Sequence, residues 1–236
     1  MLSSEARATL VVNELRDALS CAAVAPRKYL IMPDRSEILT RLTLIANRAE
    51  VIAISWHVAL AVLGAAALLG WRPSRRMLTL GLSVPLGSVA LCALYYGNPF
   101  NAGVFGVSAL AAALLAIRAP TGPLSAASGW TRVLGGTLVA FGWIYPHFLQ
   151  GSEFKYLYAA PLGVIPCPTL SAVIGITLLG NGLGAGTWSR LLAALGAFYA
   201  VFGALRLGVT IDLVLLLGAL GLFVQTRQPR ATALRV

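Results

Sequence analysis

"PLGVIPCPTLSAVIGITLLG", residues 161–180, has the length and apolarity of a membrane span, yet prolines interrupt it at 166 and 168. Whether this run is a whole span or half of one decides the fold. Proline lacks a backbone donor and pushes the residue before it out of helical geometry, so Ile165 and Cys167 are expected in extended conformations. Proline suits the first helical position, so the helix is expected to start at Pro168, with Cys167 as its cap, and to run to about Gly180. Such a helix is about 20 Å long, against a hydrocarbon core of about 30 Å. Its lead-in would be irregular backbone at membrane depth, tolerated only where protein buries it or a wet cavity hydrates it. Half-helix ends of this kind are where transporters place ligands.

The rest of the chain fits a membrane setting. Hydrophobic residues make up 58% and charged residues 11%, and the mean hydropathy is +0.81, well outside the balance of a soluble domain. The fold class read from this is all-α: an integral membrane helical bundle of about seven spans, one of them broken at the PCP segment. The runs are roughly 51–70, 77–96, 99–117, 131–149, 161–180, 189–206 and 208–225, and the count is six if the last pair forms one unit. "GNP" at 97–99 punctuates a tight hairpin between the second and third runs. "GVFGVSALAAALLA" at 103–116 and "LLAALGAFYAVFGAL" at 191–205 bring small residues to helix surfaces, which favours close packing and partner contacts. Residues 51–225 are read as the membrane domain, 1–50 as a polar or amphipathic extension and 226–236 as a basic tail. Within the extension, residues 1–31 precede a second methionine, Met32, that opens its own polar lead-in to the first span.

The net charge of +10 is dispersed over short loops and tails, so it reads as orientation charge and nucleic acid is excluded as a partner. Call the amino-terminal side A. Side B receives Arg72, Arg75, Arg76, Arg118, Arg132, Arg190, Arg227, Arg230 and Arg235. Side A receives Lys155 and Arg206, plus Arg35, Arg41 and Arg48 offset by Asp34, Glu37 and Glu50. Side B is therefore the cytoplasmic candidate, with the amino terminus outside and the carboxyl terminus inside.

Span parity then brings the polar residues to one leaflet. His57, Cys92, Tyr145, His147, Arg206 and Asp212 lie near side A ends of spans, and Asn98 lies in a side A loop. The ligand-pocket candidates are Cys167, His147, His57, Asp212, Tyr145 and Asn98. Pro146, Pro166 and Pro168 are the structural breaks that shape the pocket, Pro146 by freeing the carbonyl of Gly142. The plain reading of Asp212 is a helix cap or a partner for Arg206. That of the histidines is an interfacial amphiphile, and that of Cys167 a small buried side chain.

"NPFNAGVFGVSALAAALL" (98–115), "GGTLVAFGWIYPHFL" (135–149), "GVIPCPTLSAVIGITLL" (163–179) and "GVTIDLVLL" (208–216) together resemble the bacterial polytopic membrane proteins of the domain-of-unknown-function family numbered 6064. The "YP" followed about twenty residues later by "PCPT" is the most specific element. The resemblance covers roughly residues 90–220 and implies a multi-pass protein of the bacterial inner membrane, with no biochemistry to carry over.

Three functions remain open. The first is a small-ligand carrier or binding protein with an outward-facing pocket. The second is an accessory subunit that meets membrane partners through its Gly/Ala-rich faces. The third is a redox or metal protein, with His57 and His147 holding a haem, or the pair joined by Cys92 and Cys167 around a soft metal. The expectation is that no cofactor is bound. "GNGLGAGTW" at 180–188 lacks the strand and acidic residue of a dinucleotide loop, and neither a Ser-His-acid set nor HExxH points to an enzyme.

Overall fold

The computed structural model describes residues 34–119, 121, 122, 124, 127 and 129–227. The expectations for residues 1–31, Cys21, Met32, Arg230 and Arg235 fall outside them. The chain divides into Met1–Ile38 and Leu39–Val236. In the described end of the first unit, the Ser36 hydroxyl donates to the Asp34 carboxylate at 2.7 Å.

Among the described residues the structure is helical, with no strand. Helix α1 (Arg35–Arg48) runs into α2 (Glu50–Leu68), followed by α3 (Arg75–Tyr95), α4 (Pro99–Arg118) and α5 (Gly129–Ile144). After a short turn, α6 (Tyr156–Ala159), come α7 (Pro166–Leu179), α8 (Gly186–Val201) and α9 (Val214–Arg227). Among the described residues five helices are long and apolar enough to cross a membrane: Glu50–Leu68, Arg75–Tyr95, Pro99–Arg118, Gly186–Arg206 and Thr210–Arg227. Where spans were expected at 131–149 and 161–180 stand shorter helices, α5 of 16 residues and α7 of 14, which do not reach that length. Proline accounts for both shortenings. Helix α5 stops before Pro146, which cannot donate to the carbonyl of Gly142, and α7 cannot extend back through Pro166.

The start of α7 corrects the sequence reading. The helix begins at Pro166, not Pro168, and Ile165 rather than Cys167 is its extended cap, at φ −123° and ψ 160°. The first turn of a helix has no intrahelical use for its N–H groups, so prolines at the first and third positions cost it no hydrogen bond. Cys167 is held between them in helical geometry.

The helices pack most closely as α3 with α4, α5 with α7, and α8 with α9, and α7 also touches α3, α8 and α9. The central helix is therefore the short one, and it is buried on almost every face. Ser74 caps α3 by accepting from the Met77 amide at 3.1 Å. Asn98 caps α4 by accepting from the Asn101 amide at 3.1 Å, with Pro99 at the first helical position, as the "GNP" hairpin requires.

The closest approach lies between α5 and α7. A Cβ added at Gly142 would stand 2.5 Å from the Pro168 carbonyl oxygen, and one at Gly175 would stand 2.6 Å from that of Gly135. Backbone meets backbone there, and the Ser171 hydroxyl donates across the seam to the Leu138 carbonyl at 2.7 Å. The "GVFGVSALAAALLA" stretch plays a lesser part. Gly103 has nothing within 4 Å, and Gly106 meets only Ala90, at 3.9 Å.

Candidate functional site

The lead-in to α7, residues 160–165, is irregular and buried, so each polar group in it needs a partner. The Gly163 amide donates to the Thr169 hydroxyl at 2.8 Å, and that hydroxyl donates to the Ile165 carbonyl at 2.7 Å. The Gly163 carbonyl accepts from Ser88 at 2.6 Å, and Ser88 accepts from the Trp56 indole at 3.0 Å. Gly163 has φ +71° and lies flat against that indole, where any Cβ would overlap the ring. Glycine is required there twice over, for the backbone conformation and for the space.

On the other side of α7, three of the six candidates meet. The Tyr145 hydroxyl donates to Asp212 Oδ1 at 2.6 Å, and the Cys167 thiol donates to Asp212 Oδ2 at 3.1 Å. Asp212 is 2% exposed and Tyr145 wholly buried, whereas Cys167 is only partly covered. The three come from separate places: the exit of α5, the first turn of α7 and the turn Thr210–Leu213 before α9.

The last turn of the α8 rod, Phe202–Arg206, is π-helical, closed by a bond from the Leu207 amide to the Phe202 carbonyl at 3.2 Å. This widened turn lays Gly203 directly on the Asp212 carboxylate, so closely that a Cβ on Gly203 would overlap Oδ2. π-Turns of this kind are frequent at functional sites. No side chain caps the Thr210–Leu213 turn, so the cap reading of Asp212 is corrected. Both carboxylate oxygens accept a hydrogen bond, one from Tyr145 and the other from Cys167.

The remaining candidates lie elsewhere. His57, 3% exposed, has Nδ1 2.8 Å from the Ala53 carbonyl oxygen and Nε2 2.8 Å from that of Trp143. A neutral imidazole donates to one of these and the imidazolium to both. Both ring nitrogens face a backbone carbonyl oxygen at hydrogen-bond distance, so neither is open to a haem iron. His147 packs edge-on against Phe148 with ring centroids 4.2 Å apart. Asn98 is spent as the cap of α4. Cys92 is buried within α3. Among the described residues no three His, Cys, Asp or Glu side chains gather as a metal site, and the set His57, His147, Cys92 and Cys167 is not brought together.

Two residues outside the candidate set form a second buried polar pair. Tyr199 on α8 donates to Asn101 Oδ1 on α4 at 2.8 Å, and both are buried. The available signal was their place within long apolar runs, Asn101 near the start of 99–117 and Tyr199 two turns from the end of 189–206, where an amide or phenol has to find a partner. A separate cavity of about 140 Å³ lies between α2, α3 and α7, lined by apolar residues including Trp56, Leu60, Met77, Leu82 and Val173.

Comparisons with protein families, curated proteins and solved structures find no match to this chain.

Proposed function

We propose that this chain is a small-ligand carrier or binding protein of the bacterial inner membrane, crossing it seven times with its amino terminus outside. The observation that carries the reading is the convergence of Tyr145, Cys167 and Asp212 at the head of a buried helix too short to span. An ionisable side chain at membrane depth is costly to keep without a use. With both Asp212 oxygens taken, the phenol oxygen and the thiol sulfur still have lone pairs to offer a ligand that donates hydrogen bonds, such as an amine or a hydroxylated molecule. Seven crossings follow if α5 and α7 enter the bilayer as short helices, the second completed by its irregular lead-in. The arginine bias then turns the Cys167 end of α7 outward.

The test is cysteine labelling in intact cells, with Cys21 and Cys92 replaced by serine. A membrane-impermeant maleimide is expected to reach Cys167 from outside, and pools of small amines and polyols to slow the reaction. Cys167 that reacts with neither impermeant nor permeant reagent until denatured, in a protein that co-purifies with a stoichiometric membrane partner, overturns the carrier in favour of an accessory subunit.

A further inference from the structure

Resting on the carrier reading and naming the ion that the same site handles, we infer that the Tyr145–Asp212–Cys167 cluster is a proton-binding site and not a metal-cation site. Hard cations such as Ca²⁺ and Mg²⁺ gather six or more oxygen ligands. Here the carboxylate has one phenol and one thiol beside it, each pointing hydrogen at an oxygen. The Gly203 backbone closes the remaining approach to Oδ2. The site thus supplies a carboxylate with two hydrogen donors and close backbone, not the shell of oxygens a hard cation needs. A soft metal would need more sulfur or nitrogen ligands than the described residues gather.

Proton uptake balances simply. One O–H bond forms at Oδ2 with a proton drawn from the aqueous phase, and no covalent bond breaks. The new hydroxyl donates to the Cys167 sulfur, whose own hydrogen rotates away, while Tyr145 goes on donating to Oδ1. The site loses one negative charge.

The titratable and charged groups on the elements packed against Asp212 are Tyr145 at the exit of α5, Cys167 on α7, Tyr199 on α8 and Arg206 on the π-turn. Tyr199 is tied to Asn101, and Arg206 is half-buried. Beyond Asp212, α9 has no titratable side chain until Arg227.

The test is infrared difference spectroscopy of the full chain in lipid vesicles, acidified against neutral, with and without added sodium, calcium or zinc. A protonated-carboxyl band is expected on acidification. It should vanish in Asp212→Asn, shift in frequency in Tyr145→Phe, where the carboxyl loses a partner, and ignore all three metals. Absence of such a band, its survival in Asp212→Asn, or its suppression by an added cation overturns the proposal. If Asp212→Asn does not fold, an unshifted band in both Tyr145→Phe and Cys167→Ala overturns it equally. The carrier reading fails separately, through the labelling experiment: the acid band with no ligand protection leaves a proton site without a carrier, and protection with no band leaves a carrier that handles no proton here.

Discussion

Helices α2 and α7 are both strongly apolar and belong to one bundle, yet they are held in it differently. Helix α7 is gripped by direct backbone contact, glycine against carbonyl, along its seam with α5. Of the span Glu50–Leu68, 11% of the apolar window is buried, and named polar bonds tie it to the rest. The His57 ring meets the Trp143 carbonyl, the Trp56 indole meets Ser88, and Glu50 pairs with Lys155 at 3.0 Å. Lipid tails are as apolar as leucine, so burial gives helices in a bilayer little reason to associate. Either close packing or hydrogen bonding has to supply it, and this molecule adds a glycine seam to the hydrogen bonds of α7, whereas α2 relies chiefly on its polar bonds.

The contrast can be broken by substitution. Gly142→Leu puts a side chain into the Pro168 carbonyl and is expected to cost about 3 kcal/mol, seen as lost thermal stability in detergent and aggregation on size exclusion. His57→Ala removes the ring that faces the Trp143 carbonyl, an acceptor left open because the His147 amide turns back to the Tyr145 carbonyl. The expected cost is about 2 kcal/mol, with hydrogen exchange accelerated in α2 but not in α7. Ser88→Ala cuts the link between the Trp56 indole and the Gly163 carbonyl, for about 1 kcal/mol, with faster exchange in α2 and the lead-in. Lys155→Ala touches only a partly exposed pair and is expected to shift stability by about 0.5 kcal/mol, an effect erased by salt. If His57→Ala left α2 exchange unchanged, or Gly142→Leu were tolerated, the division between latched and packed helices would not stand.

Much of the local structure was legible. The "GNP" hairpin, the proline break before α7 and its end near Gly180 follow from residue chemistry alone, because proline and glycine act on their own backbone. The choice between Pro166 and Pro168 did not follow, since a first turn tolerates proline at either place. The tight seam was missed because Gly135, Gly142 and Gly175 form no conspicuous small-residue run; what counts is that Gly135 and Gly142 lie two turns apart on one face. Asp212 and Cys167 were legible as unusual residues, but their meeting depends on the π-turn at Phe202–Arg206, which no pattern in "FGALR" announces. The carbonyl that receives His57 was hidden one residue from the expected place. Pro146 was read as freeing Gly142, whereas the chain reversal after Tyr145 also strands Trp143.

Because the His57 ring meets Trp143 edge-on with centroids 4.8 Å apart, the emission of that indole reports on the seating of the first span. The indole stands against the imidazole edge in the folded bundle, and lifting α2 removes that contact and changes the surroundings its emission senses. The chain thus contains its own optical gauge, readable without a dye, and Trp143→Phe supplies the blank. Any condition that lifts α2 from the bundle should be visible as light before it is visible as lost structure.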